Sequence, residues 1–311
     1  FTDVSAQAGL TIPTVYGGVD SNVYIVEAMG CGAAFLDYDN DGWLDILLLT
    51  GSRWKAAPQG ATNRLYKNNR DGTFKDVTVG SGLGLEGWFS GVTVGDYNND
   101  GLEDIFLTGW PRNYLFRNNG DGTFTDITRE SGTANQPNGF AVSAAFLDFD
   151  RDGRLDLYVS NNTNYALTNQ TVCPNPAGSP DYCPPQIYGG RPDRLYRNTG
   201  NNRFVDVTAK ALPGMKASPA LGVSTADFNG DGWIDIYVAN DGEDDFLWIN
   251  QRDGSFRETG LAAGIAVTAE GKPEASMGVD AGDFDNDGDE DVIVAELTSQ
   301  GSNLFVNDGS G

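Results

Sequence analysis

The chain has 311 residues, 20 Lys plus Arg against 44 Asp plus Glu, a net charge of −24 and no His. That balance excludes a phosphate-neutralising nucleic-acid surface and attraction to an anionic membrane. The missing His excludes His-dependent nucleophile pairs and His-ligated zinc or iron. With 39% hydrophobic and 11% aromatic residues there is material for a real core, and no apolar run approaches the roughly 18 residues that span a bilayer.

Taken from the N-terminus, Phe1-Thr-Asp-Val4 reads as a short strand, with no charged and apolar leader before it. A signal peptide is therefore absent or already removed. Cys31 lies in the apolar run Met29-Gly-Cys-Gly-Ala-Ala-Phe35 and reads as a small core residue, not a nucleophile. Next comes an acidic nonapeptide, Asp37-Tyr-Asp-Asn-Asp-Gly-Trp-Leu-Asp45, followed by an apolar strand at 46–49. Residues 63–74, Asn-Arg-Leu-Tyr-Lys-Asn-Asn-Arg-Asp-Gly-Thr-Phe, then alternate around a Gly turn and predict a β-hairpin.

The same order repeats. A Gly/Ala/Val strand such as 91–95 enters Asp96-Tyr-Asn-Asn-Asp-Gly-Leu-Glu-Asp104, and a hairpin follows at 113–124. Asp148-Phe-Asp-Arg-Asp-Gly-Arg-Leu-Asp156 leads to a hairpin at 193–204, Asp227-Phe-Asn-Gly-Asp-Gly-Trp-Ile-Asp235 to one at 245–256, and Asp283-Phe-Asp-Asn-Asp-Gly-Asp-Glu-Asp291 to residues 303–311. The intervals between first Asp residues are 59, 52, 79 and 56. The long one holds a Pro-rich insertion at about 161–191, in which Cys173 and Cys183 predict a local disulfide, two unpaired surface thiols being the other reading. Four short antiparallel strands in about 55 residues make one propeller blade. The expected architecture is thus a single all-β domain over 1–311, a β-propeller with five visible repeats. It is either a closed five-blade ring, sealed by Phe1–Val4 as the last outer strand, or part of a seven-blade one.

The nonapeptide D-x-[DN]-x-D-G-x-x-D suits a hard cation. Ca²⁺ takes six to eight oxygens, and alternate side chains converge when the chain curls around a Gly. The predicted ligands of the first loop are Asp37, Asp39, Asp41 and Asp45, with the Trp43 carbonyl at the seventh position. Those of the second are Asp96, Asn98, Asp100, Asp104 and the Leu102 carbonyl; of the third, Asp148, Asp150, Asp152, Asp156 and the Arg154 carbonyl. The fourth offers Asp227, Asn229, Asp231, Asp235 and the Trp233 carbonyl; the fifth, Asp283, Asp285, Asp287, Asp291 and the Asp289 carbonyl. About five Ca²⁺ ions are expected. Metal-free Asx turns are the plainer reading, but five copies would then crowd carboxylates without a counter-charge.

Gly91-Val-Thr-Val-Gly-Asp-Tyr-Asn-Asn-Asp-Gly-Leu-Glu-Asp104 followed by Asn118-Asn-Gly-Asp-Gly-Thr-Phe124 resembles the FG-GAP (VCBS-type) repeat of integrin alpha-subunit propellers. The stretch from Cys183-Pro-Pro to Pro192-Asp-Arg-Leu-Tyr-Arg-Asn198 is similar to the cartilage acidic protein and UnbV-like group. The resemblance covers essentially the whole chain and implies an extracellular or periplasmic propeller with Ca²⁺ in each loop. Integrin propellers have seven blades where five are visible here, and relatives in the cartilage acidic group carry a further C-terminal domain.

The function expected first is a calcium-stabilised binding or structural module with a protein or glycan partner, no nucleic acid and no membrane insertion. The insertion, with Tyr165, Tyr182, Tyr188 and sequons at Asn161 and Asn169, is a candidate partner loop, or else a rigid decoration. Two alternatives stand beside it. One is an enzyme of natural-product-type cyclisation or alkylation, for which no catalytic residue is assignable. The other is a lectin using Trp54, Trp88, Trp110 and Trp248 to stack on sugars, against a reading of these as inter-blade core.

Overall fold

The computed structural model describes residues 1–54, 57–134, 139–297 and 300–309. The fold is all-β, with the blades of a β-propeller. The chain divides into two compact units, Phe1–Phe140 with Tyr165–Pro184, and Ala141–Asn164 with Pro185–Gly311.

The first unit holds two four-stranded antiparallel blades. Blade 1 comprises β1 (Ala33–Leu36), β2 (Asp45–Leu48), β3 (Arg64–Asn68) and β4 (Phe74–Asp76); blade 2 comprises β5 (Trp88–Gly95), β6 (Asp104–Trp110), β7 (Tyr114–Asn118) and β8 (Phe124–Asp126). A short turn of helix, α1 (Thr128–Ser131), follows β8. The acidic nonapeptide is in each case the turn between first and second strands, as Leu36 opposite Asp45 and Gly95 opposite Asp104 show. Strands β2 and β6 lie inside their sheets, which is why the residues that follow their opening Asp, 46–48 and 105–107, are apolar. Leu36, Leu47, Leu65, Phe89, Ile105 and Phe116 form one buried cluster.

The second unit holds three blades. Blade 3 is β9 (Ala141–Leu147), β10 (Asp156–Asn161), β13 (Arg194–Asn198) and β14 (Phe204–Asp206), followed by α2 (Thr208–Ala211). The hairpin β11 (Val172–Pro174) and β12 (Pro180–Tyr182) interrupts it in sequence and belongs to the first unit. Blade 4 is β15 (Ala220–Ala226), β16 (Asp235–Asn240), β17 (Phe246–Asn250) and β18 (Phe256–Glu258), followed by α3 (Gly260–Ala263). Blade 5 has three strands among the described residues, β19 (Ser276–Gly282), β20 (Asp291–Glu296) and β21 (Asn303–Phe305). Strands β10 and β16 are buried along their whole length, and Trp248 sits at 2% exposure in the core between blades 3 and 4.

Phe1–Val4, expected to act as a strand, has no strand structure and is exposed. The residues after it behave as the repeat demands. The Phe74 N–H donates to the Ala8 carbonyl at 2.8 Å, as the Phe124 N–H donates to that of Ser81 at 2.7 Å. The segment therefore docks its turn on blade 1 without a partner strand for its first four residues.

Candidate metal centres

All five loops share one backbone plan. The first Asp gathers the N–H groups of positions five and six: Asp41 and Gly42 on Asp37 at 2.9 and 2.7 Å, Asp100 and Gly101 on Asp96, Asp152 and Gly153 on Asp148. Asp231 and Gly232 bond Asp227 in the same way, and Asp287 and Gly288 bond Asp283. The sixth residue needs φ near +80 to +100° for this, and Gly42, Gly101, Gly153, Gly232 and Gly288 all have it. A residue with a Cβ would be strained there.

The ninth residue is the buried end of each cage. Asp45, Asp104, Asp156 and Asp235 are fully buried and Asp291 nearly so. Each accepts a hydrogen bond from a backbone N–H at 2.7–2.8 Å, from the Asn that closes the third strand, Asn68, Asn118, Asn198 and Asn250, or from Asn307, two residues beyond β21. Burial pushes Asp45 up to about 6 and Asp104, Asp156 and Asp235 up to about 7. Nearby loop carboxylates push in the same direction. Such carboxyls carry a charge that this surrounding disfavours, a disadvantage that a divalent cation removes.

Three loops bring three carboxylates to within 4.8 Å of one another: Asp37, Asp39 and Asp41; Asp148, Asp150 and Asp156; and Asp283, Asp285 and Asp291. In the second and fourth loops the third position is an amide, Asn98 and Asn229, whose oxygens accept from the Asp100 and Asp231 N–H groups. The Oδ1 of Asp39 is buried and has no hydrogen-bond donor. Oxygen-only donors, clustered and partly unsatisfied, fit Ca²⁺. At position seven Trp43 is exposed, while Leu102 and Trp233 are half-buried. Arg154 folds its guanidinium back onto Asp152.

Cations surround the cages. Lys67 bonds Asp39 and Asp41, Arg70 bonds Asp41 at 2.8 Å, Arg197 bonds Asp150 at 2.6 Å and Arg252 bonds Asp231 at 2.8 Å. Arg70 and Lys67 together hold the Asp41 carboxyl down at about 2.

The hairpin Asn was not singled out from sequence. Its side chain donates to the eighth-position carbonyl of its own loop, as Asn118 does to Glu103 and Asn250 to Ile234. It also reaches the second-position carbonyl of the preceding loop, Asn118 to Tyr38 at 2.9 Å, Asn250 to Phe149 at 2.8 Å and Asn307 to Phe228 at 2.7 Å. The signal was present as an Asn recurring at the end of every hairpin's first strand.

Outside the loops, Cys173 and Cys183 form a disulfide with Cα atoms 5.0 Å apart. Tyr165 and Tyr188 of the insertion are buried and Tyr182 is exposed. Asn161 is buried with its amide on the Pro192 carbonyl, so that sequon is inaccessible; Asn169 is exposed. Trp54, Trp88 and Trp110 pack on one another and on Tyr16, Tyr24 and Tyr165, with ring centroids 5.0–5.7 Å apart. Trp88 and Trp248 are buried, whereas Trp54 and Trp110 are half-buried. Buried Asp193 accepts from the Asn161 N–H and the Tyr158 hydroxyl, both at 2.7 Å. Asp245 accepts likewise from Asn240 and Tyr237, and from Ser276 at 2.9 Å.

The FG-GAP-like repeat family model matches residues 37–107, 96–159, 186–238 and 227–294. The chain is 27% identical over 278 residues to cartilage acidic protein 1 of Mus musculus, covering 84% of this chain and 39% of that protein. It is 28% identical over 191 residues to the Xenopus tropicalis protein of the same name, covering 58% of this chain and 25% of that one. The chain thus spans well under half the length of these relatives. Among solved structures, a lectin of Agrocybe aegerita that recognises non-reducing terminal N-acetylglucosamine aligns with TM-score 0.49 at 16% identity, over 90% of this chain and 64% of that one.

Proposed function

Since the chain belongs to the FG-GAP-like repeat family and is related to the cartilage acidic proteins, we propose that it is a calcium-stabilised binding module working outside the reducing cytosol. The observation that carries the metal part is the convergence of Asp37, Asp39 and Asp41, of Asp148, Asp150 and Asp156, and of Asp283, Asp285 and Asp291. The Oδ1 of Asp39 lacks any donor. The side chains at positions one, three, five and nine and the carbonyl at seven would hold the ion. Bound there, it supplies positive charge to carboxylates that the fold has already brought together.

The five loops hold 18 of the 44 acids at ligand positions, so five Ca²⁺ ions would take the net charge from −24 to −14. The disulfide supports an oxidising compartment, and calcium modules outside cells bind at about 10⁻⁴–10⁻³ M. Exposed Leu167, Val172 and Tyr182 on the insertion offer apolar contacts to a partner.

Thermal melting in millimolar Ca²⁺ and in excess chelator tests the reading. A ligand that binds only the folded state adds about 2.7 kcal/mol per site at a hundredfold excess over Kd, so several loops together give a large shift. An unchanged melting temperature removes the metal from the proposal.

A further inference from the structure

We propose that the junction between blades 3 and 4 is a binding site for an acidic sugar unit, one pyranose ring bearing a carboxylate or sulfate. The inference rests on the reading of the chain as a binding module and gives that module a ligand class.

A cavity of about 400 Å³ opens between the third-loop residues Phe149 and Asp150, Arg197 on β13, Lys210 on α2, Trp233, and Arg252 in the β17–β18 turn. Its floor is apolar, with Phe149 buried and Val207 half-buried. Its rim carries three cations in a chain of net charge −24. A fourth, Arg151, lies over the Trp233 indole, 5.2 Å from the ring centroid. That contact fixes the indole and leaves its remaining surface to the cavity.

The repeat provides its own control. Hydrogen bonding aligns the junctions within each unit, since the N–H groups of Gly120, Arg252 and Gly309 all donate to the hairpin Asn two residues earlier. The N–H groups of Leu102, Trp233 and Asp289 likewise donate to the loop Asp two residues earlier. At the positions of Arg151, Lys210, Trp233 and Arg252, the junction of blades 1 and 2 has Asn40, Gly80, Leu102 and Gly120. The junction of blades 4 and 5 has Gly230, Ala262, Asp289 and Gly309. Three cations and an indole thus converge where the other two junctions within the units carry neutral or acidic residues.

Neutralisation of the metal loops accounts for only part of this. Arg197 on Asp150 matches Lys67 on Asp39, and Arg252 on Asp231 matches Arg70 on Asp41. Lys210 and Arg151 have no such role. Lys210 is exposed and forms no ion pair among the described residues; after Ser255, it helps hold the Asp253 carboxyl below its ordinary range. Arg151 and Arg252 also stand at φ of 57° and 64°, the left-handed region, where the other repeats mostly use Asn or Gly. A long side chain kept at a backbone position that disfavours it points to use of that side chain.

The lining selects the ligand. A planar guanidinium and an ammonium pair well with one carboxylate or sulfate, and an indole wall with an apolar floor suits a ring. Asp150 and Asp253 at the same rim disfavour a polyphosphate, whose several charges would meet them.

Titration calorimetry in millimolar Ca²⁺ tests this with three probes: an unsulfated glucuronate-containing tetrasaccharide, a sulfated tetrasaccharide and neutral chitotetraose. At least one acidic probe should bind tenfold or more tighter than the neutral one, and which one does identifies the anionic group. Trp233→Leu, Lys210→Ala and Arg252→Gly should each weaken it at least tenfold, while Lys75→Ala on blade 1 should not; Lys210→Ala, which touches no metal loop, should also retain the calcium-dependent melting shift. The proposal is overturned if no acidic probe binds, if chitotetraose binds as well, or if the three variants bind like the parent. The melting shift reports separately on calcium stabilisation, so the ligand proposal and the calcium reading can fail independently.

Discussion

Replacing Asp193 by Asn should stabilise the protein, and by more as pH rises. Asp193 is 3% exposed, and burial pushes its carboxyl up to about 7 against 3.8 in an unfolded chain. A raised folded value means that the fold disfavours the ionised form. The disadvantage is absent below about pH 4, where both states are protonated. It grows from pH 4 to 7, where only the unfolded chain ionises, and stays constant above. A difference of about 3 in pKa corresponds to about 4 kcal/mol at the plateau, an upper figure. The Asn161 N–H and Tyr158 hydroxyl already bond this carboxylate. An amide keeps the first bond through its oxygen and can donate to the Tyr158 oxygen, and blades 1, 2 and 5 have Asn63, Asn113 and Asn303 at this position. The expected gain is therefore about 1–3 kcal/mol at pH 8 and near zero at pH 4. Calorimetric melting of both proteins across pH 4–8 in fixed excess Ca²⁺ isolates it, because the metal loops titrate in both and cancel in the difference. A difference that does not change with pH, or a variant less stable at pH 8, refutes the argument.

Asp150→Ala should lower the calcium stoichiometry by one ion while leaving the other loops loaded, as counted by equilibrium dialysis with metal analysis; an unchanged count contradicts the third cage. Asn250→Ala strands the Phe149 and Ile234 carbonyls and should cost about 1–3 kcal/mol, with urea denaturation as the measurement. Joint Cys173→Ser and Cys183→Ser replacement should speed amide exchange in the exposed β11–β12 hairpin and hardly move global melting, since that hairpin pairs only with itself. A large drop in melting temperature would show that the hairpin supports the fold more widely.

The repeated frame was readable because its chemistry is local. A Gly five residues after the first Asp of a D-x-[DN]-x-D-G loop permits a tight bend, and Gly42, Gly101, Gly153, Gly232 and Gly288 show the positive φ that the bend requires. The hairpin turns and the apolar second strands follow from spacing and alternation in the same way. Long-range partners were not readable. Asn118, Asn250 and Asn307 recur visibly, yet the carbonyls they bond lie 80, 101 and 79 residues earlier. Trp54, Trp88 and Trp110 stood between inter-blade core and a sugar platform because sequence does not reveal that Tyr16, Tyr24 and Tyr165 pack against them. The fate of Phe1–Val4 was misjudged for the related reason that a matching sequence does not supply a neighbouring strand.

These long-range bonds give the acidic loops a second role. The ninth Asp accepts the N–H of the hairpin Asn, and the amide of that Asn holds the preceding blade through its loop carbonyl. Charge on the ninth Asp therefore bears directly on the residue that ties adjacent blades within a unit. Without a cation, Asp104 and Asp235 approach protonation near neutral pH, since burial raises both to about 7. A protonated carboxyl is a weaker acceptor for the Asn N–H than a carboxylate. A divalent cation keeps the carboxylate ionised and thereby strengthens the bond that positions the inter-blade Asn. Calcium should then raise amide protection at Asn118 and Asn250 as well as in the loops. Protection confined to the nonapeptides would show that loop and junction are energetically separate.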